Sequence, residues 1–161
     1  MSGKRLRVYV DTSVIGGCGD EEFTGPSTRL MQKFVSGEAI LVVSDVMIAE
    51  LAGAPDRVQA VLRDVAPANV EYVALNDEAT RLAEEYVRQG ALSPRMVADA
   101  QHIAVATVAR VDVLVSWNFK HIVNLDRIRR YNSVNLREGY ALLEIRSPQE
   151  VLQDGSEGQA V

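Results

Sequence analysis

Apolar positions along the chain fall into short runs separated by helical periodicity. Residues 6–10 (Leu-Arg-Val-Tyr-Val) form a β-rich run that stops at a carboxylate, Asp11, followed by Thr12, Ser13 and a Gly16-Gly17 pair. This is the pattern of a buried strand. Similar runs at 39–43, 70–75 and 111–115 predict three more strands, and 141–145 an edge strand. Between them, residues 26–36 place Leu30, Met31, Phe34 and Val35 on one helical face, with Gly37 as the stop. Ser44 caps a predicted helix through Leu51, Pro55 opens another to about residue 65, and Asn76 caps one that Gly90 ends. Ser93-Pro94 opens a helix to about residue 109, and residues 125–138 read as a last, basic helix. The segment 16–22 reads as a glycine-rich acidic loop, and the polar tail from Gln153 as disordered. Strands alternating with helices predict an α/β sandwich around a mostly parallel sheet, in one domain over 1–152.

Composition narrows the class. At 161 residues, 47% hydrophobic and 24% charged, the chain reads as one ordinary globular domain. No apolar run approaches the ~20 residues of a membrane span, and the N-terminus lacks a signal-peptide apolar region. One cysteine, Cys18, excludes an intramolecular disulfide and a cysteine-based zinc cluster. The expected setting is a reducing cytoplasm, with no membrane partner. A net charge of −5 argues against a protein that coats nucleic acid non-specifically. Even so, residues 116–146 carry six basic groups against three acidic ones, enough to steer a polyanion to one place.

The candidate chemistry is acidic. Asp11 stands at the carboxyl end of the first strand, where open α/β sheets build their sites. The loop after it is no phosphate cradle, for it lacks the Lys-Ser/Thr of a P-loop and carries Asp20, Glu21 and Glu22. Glu50 has only uncharged neighbours three and four residues away (Val46, Met47, Gly53, Ala54), so it either loses its charge or finds a cation. Its plainer reading is a snorkelling surface glutamate. Asp99 borders the apolar stripe Ala100, Ile103, Ala104 and Val108; its plainer reading is an ion pair with Arg95. Asn118 follows the fourth strand as Asp11 follows the first, so the two can lie side by side, although asparagine after a strand is also a common turn former. Ser13 and Ser116 read equally as backbone caps, and His102 and His121 as packing or capping residues. If the acids converge, they need a cation. Oxygen-only ligands favour Mg²⁺ or Mn²⁺, which can activate a water for attack on a phosphodiester.

Four segments carry a resemblance: Val8-Tyr9-Val10-Asp11-Thr12-Ser13, Ser44 through Leu51, Ala98-Asp99-Ala100-Gln101-His102-Ile103-Ala104-Val105-Ala106, and Leu114-Val115-Ser116-Trp117-Asn118-Phe119-Lys120-His121. In this order and spacing, over about residues 5–150, the chain resembles a PIN-domain nuclease, most closely the VapC-type toxins of toxin–antitoxin pairs. The resemblance implies a three-layer α/β/α sandwich and a Mg²⁺- or Mn²⁺-dependent endoribonuclease. Asp11, Glu50 and Asp99 match the acidic triad: Asp11 and Asp99 as metal ligands, Glu50 as a ligand or a holder of water. Asn118 matches the position of a fourth acid, where an amide holds water but supplies no charge. Ser13 and Ser116 take supporting places. The resemblance also implies an RNA substrate, a cognate antitoxin and a homodimer. Within this picture Lys120, Arg127, Arg130 and Arg137 are candidates to hold the RNA backbone.

Two other readings stay open. A phosphoaspartyl phosphatase would use Asp11 as nucleophile, but its usual motif has a second Asp where this chain has Ser13. A catalytically silent PIN-like scaffold that binds RNA or protein is suggested by Asn118 and the acidic surface.

Overall fold

The computed structural model describes residues 4–153. Five strands form an all-parallel sheet: β1 (Leu6–Val10), β2 (Ala39–Ser44), β3 (Val70–Val73), β4 (Val113–Val115) and β5 (Ile145–Arg146), in the order β3-β2-β1-β4-β5. The near-continuous apolar runs read from the sequence follow from burial on both faces. Tyr9, Val42, Leu114 and Ile145 face one core, beneath α5 (Asp77–Arg88), α6 (Val97–Val108) and α7 (Leu125–Arg137). Val8, Val10, Leu41, Val43, Val113 and Val115 face the other, which is filled by Val14, Ile15, Leu30, Met31 and Phe34. Those residues come from α1 (Thr12–Gly17) and α2 (Thr24–Val35), and the partly buried Val58, Val61 and Leu62 of α4 (Asp56–Arg63) pack on the same side. The short α3 (Asp45–Leu51) contributes to both cores, Val46 to one and Met47 and Leu51 to the other.

The caps predicted at Ser44, Asn76 and Ser93 form, and Asn124 adds one that the sequence reading did not name. Ser44 accepts from the Met47 N–H, Asn76 from Ala79, Ser93 from Arg95 and Asn124 from Arg127. Gly37 and Gly90 take positive φ, as helix stops require.

Three local expectations change. The stretch after Asp11 is a helix, α1, rather than loop from Gly16. It packs so closely on α2 that a Cβ on Gly17 would stand 2.5 Å from Ser27 Oγ and 3.1 Å from Trp117 Nε1. The last strand is Ile145–Arg146, not 141–145, because the Leu143 backbone bonds the Asn132 side chain of α7 at 2.8 and 3.2 Å instead of joining β4. Gln153, expected to begin a tail, closes a short helix over 148–153, and 154–161 lie outside the described residues.

Topology places the site. From β1 the chain moves outward through β2 to β3, then returns to lay β4 on the other side of β1. The carboxyl ends of β1 and β4 therefore flank the point where strand order reverses, the usual crevice of an open parallel sheet.

Candidate functional site

Asp11 occupies that crevice. It is 5% exposed and in extended conformation, and its N–H continues the ladder to the Val115 carbonyl. Ser13 Oγ donates to its Oδ1 at 2.6 Å, and Ser116 Oγ to Oδ2 at 2.8 Å. Both serines accept in turn, Ser13 from the Trp117 N–H and Ser116 from the Asn118 N–H, each at 2.9 Å. The β1 and β4 exits are thus laced together through Asp11. Burial pushes its carboxyl above the usual aspartate range; His102 and the two hydroxyls pull it down, and the charge of Asp99 pushes it further up.

Asn118 connects the next acid. Its Oδ1 accepts from the backbone N–H groups of Lys120 (3.2 Å) and His121 (2.9 Å), which leaves the amide Nδ2 to donate to Asp99 Oδ2 at 3.4 Å. The turn-former reading and the site reading of Asn118 are both realised. Burial raises the Asp99 carboxyl, opposed by His121 and His102 and reinforced by Glu50.

Glu50 is held differently. Thr12 Oγ1 donates to its Oε1 at 2.7 Å, and His102 Nε2 stands 2.6 Å from the same oxygen. The partner that its uncharged sequence neighbours do not supply is thus the His102 imidazole, whose bond is the leading cause that lowers the Glu50 carboxyl. His102 is itself buried, with Nδ1 2.6 Å from the Tyr9 hydroxyl, which lies 2.7 Å from Ser44 Oγ. A carboxylate only accepts, so Nε2 carries a proton. In the neutral ring Nδ1 then accepts from Tyr9, and Tyr9 accepts from Ser44. The result is a buried chain from the cap of α3 to the carboxylate near its end.

The structure therefore joins Asp11, Ser13, Ser116, Asn118 and Asp99 through bonds, with Glu50 coupled to Asp99 through its charge. Among the described residues no three His, Cys, Asp or Glu side chains stand at metal-binding spacing. Sequence reasoning missed Tyr9 and gave His102 only a packing or capping part. One clue was present: His102 lies three residues after Asp99, on the same helical face.

The basic residues of α7 have local partners. Arg127 Nη1 donates to the Ala91 carbonyl (2.9 Å), Arg130 to Asp126 (3.1 Å) and the Gly90 carbonyl (3.4 Å), and Arg137 to Gln89 Oε1 (2.7 Å). They do share a face, and that face fastens the turn after α5. Lys120 is exposed beside Asn118 and has no ion pair among the described residues. Asp20, Glu21 and Glu22 are exposed in the turn before α2, with Asp20 capping the Glu22 N–H.

A parallel sheet between two helical layers, with Asp11 at the strand-order reversal, is a three-layer α/β/α arrangement. No protein-family model and no curated protein matches the sequence. Solved structures match the fold. VapBC2 from Rickettsia felis, bound to a promoter DNA fragment, superposes with a TM-score of 0.57 at 14% identity, over 88% of this chain and 98% of that one. Mycobacterium tuberculosis VapC20, a Sarcin-Ricin loop cleaving toxin, gives 0.56 at 14%, over 84% and 98%. DNA-bound VapBC from Salmonella typhimurium gives 0.53 at 17%, over 89% and 98%. The chain thus shares the PIN-type α/β/α fold of these VapC structures.

Proposed function

We propose that the protein is a Mg²⁺- or Mn²⁺-dependent endoribonuclease acting as the toxin of a cytoplasmic toxin–antitoxin pair, with a protein antitoxin and a second copy of itself as partners. One observation carries this reading. Asp11 is buried at the strand-order reversal and Asp99, partly buried on α6, is tied to it through Asn118 and Ser116; both carboxyls are lifted by desolvation, and the bonds that reach them come from hydroxyls and an amide. An oxygen-only donor set of this kind suits a hard divalent ion, which binds through one or two carboxylates and keeps waters for the rest. Asp11 and Asp99 are the residues that would hold it. When bound, the ion supplies a water activated near neutral pH and charge to stabilise the leaving oxygen.

The chain's own groups do the positioning. Ser13 and Ser116 fix both oxygens of Asp11, so its carboxylate presents one orientation. The Asn118 amide orients Asp99. Glu50 has one oxygen committed to Thr12 and His102, and its half-exposed side chain leaves the other to hold a water. The fold shared with structures described as VapC and VapBC supports the toxin assignment.

A silent scaffold is the second reading, favoured by Asn118 and by the absence of three ligands at metal spacing among the described residues. A nucleophilic Asp11 fits poorly, since both of its oxygens already accept from serines.

The test is cleavage of a structured RNA by antitoxin-free protein. Activity with Mg²⁺ or Mn²⁺ should vanish in EDTA and in Asp11→Asn. Cleavage that survives either treatment rejects the metal reading, and a folded wild-type protein without cleavage favours the scaffold.

A further inference from the structure

Beside the candidate site an aromatic ladder runs from the interior to the surface. Phe23 stacks on Trp117 with ring centroids 4.3 Å apart and planes at 20°. Trp117 is buried and anchored through Nε1 to Ser27 Oγ at 2.8 Å. It meets Phe119 edge-on, at 6.1 Å and 65°. Phe119, in contrast, is 50% exposed. A half-exposed phenyl with rigid backing is unlike a side chain that merely failed to reach the core.

Its backbone is equally fixed. The Phe119 N–H bonds the Trp117 carbonyl at 3.0 Å, and the N–H groups of Ile122 and Val123 both bond the Asn118 carbonyl. Asn118 Oδ1 takes the two N–H groups that follow Phe119. The residue that orients Asp99 therefore also sets the position of Phe119, one residue away.

Phe119 lines a groove of about 510 Å³ together with Val123, Leu125, Ile128 and Leu142, whose lining also includes Arg146 paired with Glu144 and Glu150. Leu125 and Leu142 are 65% and 64% exposed, and Lys120, next to Phe119 in the chain, is exposed as well. An apolar ring, a cation one residue on and, one residue back, the Asn118 amide that bonds Asp99 suit one kind of occupant. A nucleotide offers a π-face to the ring and a phosphate to the lysine, while its backbone continues toward the acids. The arginines of α7, with donors engaged by the turn after α5, do not offer the same combination.

We propose that Phe119 is the stacking platform for an unpaired RNA base next to the scissile phosphate, with the groove behind it as the seat of that base and Lys120 on its phosphate. The inference rests on the nuclease reading above and deepens it. It makes the substrate class RNA with an unstacked nucleotide, because a base held in a duplex cannot present its face to a protein ring. Stacking tolerates every base, so Phe119 selects for accessibility rather than sequence.

The test uses a short single-stranded oligoribonucleotide carrying 2-aminopurine, whose fluorescence is quenched on stacking. It is titrated with the full chain in EDTA, where cleavage is silent. Phe119→Ala should weaken binding about tenfold or more and abolish the quench. Phe119→Leu keeps apolar bulk without a π-face and should not restore it; Phe119→Trp should. In Mg²⁺ or Mn²⁺ Phe119→Ala and Phe119→Leu should raise KM more than they lower kcat, Phe119→Trp should do neither, and a fully paired RNA duplex should compete poorly. Melting curves guard against misfolding, and the Leu and Trp variants separate ring from bulk. Wild-type binding by Phe119→Ala, or full rescue by Phe119→Leu, overturns the proposal even if the protein cleaves RNA. Quenching that depends on Phe119 without any cleavage leaves stacking standing and removes the nuclease reading. Loss of antitoxin binding with RNA binding intact would put a protein in the groove and overturn the proposal as well.

Discussion

The Tyr9 hydroxyl sits between Ser44 and His102, inside the core and out of reach of substrate, yet it sets the proton arrangement on which Glu50 depends. Tyr9→Phe keeps the ring and removes the link, leaving His102 Nδ1 and the Ser44 hydroxyl short of a partner. Unfolding in urea should show a loss of about 1–3 kcal/mol, the usual cost of a stranded buried polar group. A change within error would mean that the chain is ornamental. At this scale the sequence was informative about identity and poor about pairing. Asp11 and Glu50 stood out because their local company could not explain them, and Ser13 and Ser116 were visible as hydroxyls at strand exits. The partnership of His102 with Glu50 was not readable, for it is created where α6 crosses the end of α3 beneath β1, and no local spacing encodes that crossing.

Among elements, α1 is the most constrained by its surroundings. Gly16 and Gly17 weaken a helix intrinsically, which is why this stretch reads as loop; contact with α2 overrides that preference. Gly17→Ala would place a methyl 2.5 Å from Ser27 Oγ, against the same serine that holds Trp117. We expect a loss of about 1–3 kcal/mol in the free energy of unfolding by urea, together with weaker fixation of Trp117, seen as a shift in its fluorescence. A stable variant with unchanged emission would show that α1 and α2 can separate freely. The β5 strand teaches the complementary lesson. Its two residues are defined by their register with Leu114 and Val115, and the apolar run at 141–143 is diverted by Asn132. The central strands, buried on both faces, were legible because every residue in them obeys one constraint.

Across the whole molecule, charge is divided between an acidic body and a basic segment, and the structure gives that segment one use, fastening the turn after α5. Arg127 and Arg130 bond carbonyls after α5, while retaining donors that could meet a polyanion. Replacing both by Gln keeps an amide donor for the carbonyls and removes the charge. If they also meet RNA phosphate, the slope of log K against log salt should fall by about 1–2; an unchanged slope confines them to fastening the turn. The strand order has a further consequence, this one for biosynthesis. Ser116 completes the setting of Asp11 from 103 positions beyond Ser13 and 105 beyond Asp11 itself. At roughly 5–20 residues per second, a ribosome releases Asp11 about 5–20 s before Ser116, separated as they are by 105 positions. Throughout that interval β1 lacks its β4 neighbour, and a nascent chain holds its acids without the frame that aims them. A site built this way is complete only once most of the chain has been translated.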